Sequence, residues 1–483
     1  MANSDLKHKV FMGTFWTLLE QLGAKCAALI VEIVLARILL PEEYGIVAIA
    51  AVFITIANTI TCDGLSLALV QKEHADNVDF STGFFLNLCI SIVMYIAVFF
   101  AAPLIGEFYN SPELADVLRV LGLSVPVSSI NSVQRAYATR EMLFKRFFVS
   151  STVGYVLSGA ISIALAYCGF GVWALVAQTI LAALLDTAIL WFTVRWRPSF
   201  VFSLDRLRGL WSFGWKVLSS NLLYQICIQL RAAVIGKKYT SSDLAFFNRG
   251  ELIPALVSCT ADKAMQTALF PAMSKAQSDV SEVRGMLSRF VKVGCYVIFP
   301  SMVALAVVAV PLVEVVFTEK WLPCVPFIWA FCACYALQTL QSASLLALRA
   351  IGRSGTTLVQ DCIKRLIDLL LLAISIPFGP VVIACSCLVS AVIAVIVNTV
   401  PCKRVFSYGL LSQLKDVVPI VLMSVVAGLA AASVSLLNLS AIMCIIAQIS
   451  VMVGVYFGLS AVTKNDSFGF IVSIVCGMLG RNR

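Results

Sequence analysis

The sequence predicts an all-α polytopic membrane protein of about 14 transmembrane helices, built as two six-helix lobes plus a C-terminal helix pair, with both termini cytoplasmic. Three observations predict it. Of the 483 residues, 60% are apolar and only 13% are charged, whereas soluble domains run at about half and about a quarter. The apolar residues gather in runs near the roughly 20 residues that a spanning helix needs. Lys and Arg fall in alternate connectors between those runs, as the positive-inside rule requires. This composition disfavours a cytosolic enzyme, a disordered scaffold and a nucleic-acid binder together. The net charge of +9 is then a statement about orientation.

Taken in order, six spans lie near residues 11–36, 44–68, 80–103, 113–134, 148–168 and 171–194. A second six lie near 210–235, 250–272, 290–311, 323–347, 356–377 and 380–400, and a last pair near 416–437 and 441–462. The expected domains are an N-terminal lobe over 1–200, a C-terminal lobe over 201–405 and the extra pair with its tail over 406–483. With the N-terminus inside, 22 of the 35 Lys and Arg, Arg135 among them, fall in cytoplasmic connectors; 5 fall outside and 8 within spans. An offset of about 200 residues aligns Phe15-Trp16-Thr17-Leu18-Leu19 with Gly214-Trp215-Lys216-Val217-Leu218, in the manner of parallel transporter repeats. It also aligns Pro41-Glu42-Glu43-Tyr44-Gly45 with Ser241-Ser242-Asp243-Leu244-Ala245. The 16 Cys read as small hydrophobes, since the Cys332/Cys334 and Cys385/Cys387 pairs lack zinc-site spacing.

The in-span cations are Lys25, Arg119, Lys216, Arg231, Lys263, Lys292, Lys364 and Arg365. A central Lys or Arg facing lipid costs about 3 kcal/mol on insertion scales, so most must pair, snorkel or face a wet cavity. Helical spacing groups them with polar neighbours. In the first span Thr14, Thr17, Gln21, Lys25, Ala28 and Glu32 form one stripe; in the seventh, Lys216, Ser220, Tyr224, Cys227 and Arg231 do, with Asn221, Gln225 and Gln229 alongside. Span 8 aligns Glu251, Ser258, Asp262 and Gln266, and span 11 aligns Gln360, Lys364 and Asp368. The candidate binding set is therefore Lys25, Lys216, Arg231, Lys263 and Lys364, with Tyr224 and Gln225 for polar contact. Glu20, Glu32, Asp186, Asp262 and Asp368 are candidate sites for a coupling proton or sodium ion. For Asp262 and Asp368 the favoured reading is simple neutralisation of Lys263 and Lys364.

Chemistry is poorly represented. The two His, His8 and His74, lie outside the spans, no G-x-x-x-x-G-K-[ST] loop is present, and no cofactor is expected. Several stretches carry a resemblance: Leu40-Pro41-Glu42-Glu43-Tyr44-Gly45; Phe144-Lys145-Arg146 through Gly169-Phe170-Gly171-Val172-Trp173-Ala174-Leu175-Val176; and Phe247-Asn248-Arg249-Gly250. Leu269-Phe270-Pro271-Ala272-Met273-Ser274, Glu319-Lys320-Trp321 and Arg349-Ala350-Ile351-Gly352-Arg353 continue it. In order and spacing they resemble the polysaccharide-exporting, Wzx-type branch of the multidrug, oligosaccharidyl-lipid and polysaccharide flippase superfamily. The last four spans match only in hydropathy. Where relatives often carry an acid before the Ile-Gly that ends span 7, this chain has Arg231 ahead of Ile235-Gly236, so an acid-based coupling site is not carried over there.

The resemblance implies a non-enzymatic flippase of the bacterial plasma membrane. Its implied substrate is a polyprenyl-pyrophosphate-linked oligosaccharide for surface polysaccharide, O-antigen or exopolysaccharide synthesis, moved by alternating access. Membrane lipid and polysaccharide polymerase or export machinery are the implied partners. The runner-up is a cation-coupled multidrug exporter of the same superfamily, which predicts a net acidic cavity.

Overall fold

A computed structural model describes residues 23, 25–72, 75–437, 439–463 and 468–469. Glu20 and most of the first expected span lie outside the described residues. Every regular element among the described residues is helical, as backbone groups in lipid require. Among the described residues, nine helical stretches are long and apolar enough to cross a membrane. The chain divides into two compact units, Met1–Ala245 and Phe246–Arg483.

The first unit holds α1 (residues 25–38), α2 (Pro41–Gln71), α3 (Asn77–Phe108), α4 (Pro112–Leu121), α5 (Ser124–Arg140), α6 (Phe144–Tyr167), α7 (Val172–Thr193) and α8 (Leu204–Lys238). The fourth expected span is a broken helix, α4 and α5, interrupted at Gly122-Leu123. Pro126 falls in the first turn of α5, where its missing N–H is harmless. Arg135 therefore sits inside a helix that runs on to Arg140 and not in a connector; the polarity of α5 ended the hydropathy signal early.

Helix α8 packs antiparallel on α2, which places it in the first unit. Three close approaches hold the pair. A methyl on Gly45 would overlap the Ser241 backbone, Gly236 lies 2.7 Å from Ile49, and Gly64 lies 3.0 Å from the Gly214 carbonyl, all measured from an added Cβ. The two segments that the internal repeat aligns thus meet at Gly45 and Ser241. Glu43 caps α2 by accepting from the Leu40 backbone N–H at 2.7 Å, and its Oε1 leaves only 2.5 Å to a Cβ on Gly171. Gly171 has φ +56° and Gly169 φ +83°, the left-handed region that favours glycine. The α2 start and the α6–α7 turn, two of the motifs quoted above, are one packing junction.

The connector from α7 to α8 is tied to the start of α3. Trp196 donates to Asn77 Oδ1 at 2.7 Å, Ser81 and Ser199 share a hydrogen bond at 3.0 Å, and Arg206 reaches Asp76 at 3.1 Å. Asp79, fully buried, is held by Lys72 at 2.6 Å.

The second unit is built on α10 (Val280–Val316), with α9 (Ser241–Lys275), α11 (Val325–Ala336), α12 (Gln338–Ala350), α13 (Ser354–Ser375), α14 (Pro380–Phe406), α15 (Leu410–Ala432) and α16 (Ala441–Val462). The last two helices pack on α10. Tyr296 donates to Ser460 at 2.8 Å and Tyr456 donates to the Tyr296 carbonyl at 2.9 Å, so the C-terminal pair shares this unit's core. Arg249 is buried, its guanidinium 5.1 Å from the Phe317 and Trp321 ring centres, and a Cβ on Gly250 would overlap Phe327. Two further motifs, around Arg249 and Trp321, are again one junction. Helices α8, α9 and α13 are long but fall outside the apolar nine, because their polar faces dilute the hydropathy. Of the thiols, Cys295, Cys324, Cys332, Cys387 and Cys402 are buried, whereas Cys26, Cys89, Cys168, Cys362 and Cys385 are exposed, so filling a core does not account for the whole set.

Gly45→Ala and Gly250→Ala should each lower stability by about 1–3 kcal/mol through overpacking, seen as a lower unfolding midpoint in detergent. Gly285→Ala, where nothing crowds the methyl, should leave the midpoint unchanged or raise it. The Asp79 backbone N–H, aided by the charge of Arg206, holds the Asp76 carboxyl below its ordinary value. Its stabilisation is present above the ordinary carboxylate pKa and is lost as pH falls through the lowered one. The stability gap between wild type and Asp76→Ala should therefore narrow as pH drops below about 4.

Candidate functional site

Within the first unit α1, α2, α5, α6 and α7 line an open cavity of about 630 Å³ that carries polar and charged side chains. Each helix contributes at helical spacing: Ala28 and Glu32 from α1, Ser128, Asn131, Ser132 and Arg135 from α5, Ser151 and Tyr155 from α6, and Gln178, Thr179, Ala182, Ala183, Asp186 and Thr187 from α7. Cys62 comes from α2.

The charged centre is an ion pair, Arg135 Nη2 to Asp186 Oδ2 at 3.1 Å. Ser151 accepts from the same Arg135 nitrogen at 2.8 Å and donates to Asp186 Oδ1 at 3.4 Å. Asn131 Nδ2 donates to Asp186 Oδ2 at 2.5 Å, and Phe147 lies under the guanidinium at 5.1 Å. Packing of small residues sets these distances. A Cβ on Gly154 would stand 3.3 Å from the Asp186 nitrogen, so glycine there lets α6 and α7 close and brings Asp186 to Ser151. Gly159 likewise accepts Val31, which fixes the neighbouring Glu32 at the cavity wall. Asn131 Oδ1 is buried without a hydrogen-bond partner, an acceptor that a hydroxyl or a water could use. Among the described lining residues the carboxylates are Glu32 and Asp186 and the cation is Arg135.

The structure thus brings together two of the five ion-coupling candidates, Glu32 and Asp186, and the cavity is lined by none of the five cations expected to bind. Lys25 is exposed on α1, and Lys216 on α8. Arg231 is half-buried, its Nε without a hydrogen-bond partner. Tyr224 is exposed and Gln225 half-buried on the same helix. On α9, Lys263 is exposed. The expected pairing of Lys263 with Asp262 does not form: Asp262, 2% exposed, is held by Ser342 at 2.5 Å and Gln266 at 2.7 Å. Helical phase explains it, since consecutive residues diverge by about 100°. Lys364 pairs with Asp361 at 2.7 Å and not with Asp368, which takes Arg365 at 3.4 Å. Arg119 and Lys292 also pair, with Asp116 and Asp416, each at 3.3 Å.

Asn131 and Arg135 escaped the sequence reading because α5 is polar. The signal was present: Ser128, Asn131, Ser132 and Arg135 recur at steps of three, one and three, the stripe of a single helix face.

A family model described as "Polysaccharide biosynthesis protein" matches residues 34–326. The succinoglycan biosynthesis transport protein ExoT of Rhizobium meliloti (strain 1021) is 27% identical over 340 residues, covering 70% of this chain and 69% of that protein. The lipopolysaccharide biosynthesis protein WzxC of Escherichia coli (strain K12) is 24% identical over 354 residues, covering 72% and 71%. Among solved structures, the lipid II flippase MurJ in an inward closed conformation superposes with a TM-score of 0.76 at 15% identity, covering 93% of this chain and 99% of that one. That likeness establishes the fold.

A double-mutant cycle on Arg135 and Asp186, using alanine at each, should give a coupling energy of about 1–3 kcal/mol in detergent unfolding.

Proposed function

The chain belongs to the polysaccharide biosynthesis protein family, and from that premise we propose that it flips polyprenyl-pyrophosphate-linked oligosaccharides across the bacterial plasma membrane by alternating access. What supports this reading is that the chain's relatives are named as polysaccharide transport and biosynthesis proteins. The finer topology belongs to the proposal too. The nine apolar stretches, together with α1, the broken α4–α5 pair and the polar helices α8, α9 and α13, make 14 passes with both termini cytoplasmic.

The physical task is to move a diphosphate through an apolar layer while the polyprenyl tail stays in lipid. Lys25 and Lys216, exposed on their helices, and Arg231, half-buried with an unused Nε, are the cations of the first unit proposed to meet the anion. Arginine can grip phosphate oxygens bidentately. Tyr224 and Gln225, on the same helix, are proposed to meet sugar. Lys263 is proposed to serve in the same way within the second unit, whereas Lys364 is already engaged by Asp361. Glu32 and Asp186 are proposed to exchange a proton or a sodium ion, with Arg135 released from Asp186 when that carboxyl is neutralised. Asp368, tied to Arg365 and Ser390, is the weaker coupling candidate. A polymerase or other export component is the proposed protein partner.

One observation favours the second reading, a cation-coupled exporter of amphipathic drugs: carboxylates outnumber the guanidinium among the described lining residues of the cavity. Reconstitution decides between them. Proteoliposomes should accumulate a fluorescent polyprenyl-pyrophosphate oligosaccharide in the protected leaflet, at least tenfold faster than protein-free vesicles, and the double variant Lys216→Ala/Arg231→Ala should lose most of that rate. Uptake of a cationic dye without movement of the saccharide would establish the drug exporter instead.

A further inference from the structure

Among the described residues of the second unit, Asp262 is the buried carboxylate, and no cation answers it. Its residue is 2% exposed, and among the described residues no Lys or Arg forms an ion pair with it. The charged and titratable groups on its own and the adjoining helices are committed or distant. Lys263 points to the surface, and Glu251 accepts from Tyr335 at 2.8 Å. Lys292 on α10 is paired with Asp416, and Arg349 at the end of α12 with Asp361 at 3.7 Å. Asp243, Arg249 and Lys275 stand about three or more helical turns from Asp262 along α9, and the thiols of Cys259 on α9 and of Cys332 and Cys334 on α11 complete the titratable groups of these two helices. A buried carboxylate without a counter-charge is costly, so this position needs a neutralising partner that arrives from outside the fold.

The hydrogen bonds around it accommodate both protonation states. With the carboxylate ionised, the Ser342 hydroxyl donates to Oδ1 at 2.5 Å and Gln266 Nε2 donates to Oδ2 at 2.7 Å. Ser342 Oγ also lies 3.2 Å from the Thr339 carbonyl. When a proton binds Oδ1, the new O–H donates to Ser342 Oγ, whose own hydrogen swings to the Thr339 carbonyl. Nothing is left unsatisfied in either state, and no side chain has to leave its rotamer. A polar file continues along α12: Asn398 donates to the Gln341 carbonyl at 3.2 Å and Gln413 donates to Ser344 at 3.3 Å. Asn398 Oδ1 and Gln413 Oε1 remain without protein partners, acceptors of the kind that buried water serves.

We propose that Asp262 is a proton-binding site in the second unit, with Ser342 as its two-position hydrogen-bond switch, and that loading and unloading it is coupled to the translocation proposed above. The coupling rests on that reading; the proton site does not. The ligand is one proton from water, bound at Oδ1 and returned to water, with no bond to carbon formed or broken.

Difference infrared spectroscopy of the purified, lipid-reconstituted chain, titrated from about pH 5 to about pH 9, tests the site without any substrate. One carboxyl C=O band that grows as pH falls is expected in wild type. Asp262→Asn, isosteric and uncharged, should remove that band. Ser342→Ala keeps the carboxyl and should shift the band's frequency and titration midpoint. Identical titrating bands in wild type and Asp262→Asn would overturn the proposal, as would a band that responds to sodium at fixed pH and not to protons. In proteoliposomes Asp262→Asn should abolish the acceleration of saccharide movement by a pH gradient. A wild-type chain that shows the Asp262 band but moves no saccharide would uphold the proton site and refute the flippase reading.

Discussion

Charge within an apolar helical bundle has to be neutralised within a few ångströms, because neither lipid nor packed side chains screen it. Most of the interior polar architecture of this chain follows from that constraint. Arg135 is set against Asp186 and Ser151, Lys72 against the buried Asp79, Lys292 against Asp416 and Lys364 against Asp361. Where glycine stands beside such a pair it acts through distance. Gly154 lets α6 and α7 close until Asp186 meets its partners.

The exceptions to the rule are where function is to be sought. Asp262 is answered by neutral donors alone. Arg231 keeps a buried Nε without an acceptor. Both groups lack an opposite charge among the described residues.

The stretches that carry the family likeness serve mainly to join helices. Glu43 and Gly171 meet where α2 starts and α6 turns into α7, and Arg249 lies against both Phe317 and Trp321 with Gly250 against Phe327. Residues at such junctions tolerate little change because glycine spacing and a stacked guanidinium leave no room to adjust.

From the sequence alone came the helical class, the membrane setting, the family and two polar helices whose charges had to be accounted for, because composition and 3.6-residue periodicity are local properties. Glu32, Asp186 and Asp262 were legible as carboxylates in apolar surroundings for the same reason. Partnership was not legible. The sequence reading paired Asp262 with Lys263 and Asp368 with Lys364, whereas the fold gives Asp262 to Ser342 and Gln266, and Asp368 to Arg365. It also placed Arg135 in a connector, because hydropathy ends a span wherever polar residues begin, even when the helix continues around a cavity. Which charges are neutralised and which remain unanswered depends on side chains 51 to 80 residues apart, Arg135 with Asp186 and Asp262 with Ser342, and only tertiary packing brings such residues within hydrogen-bond range.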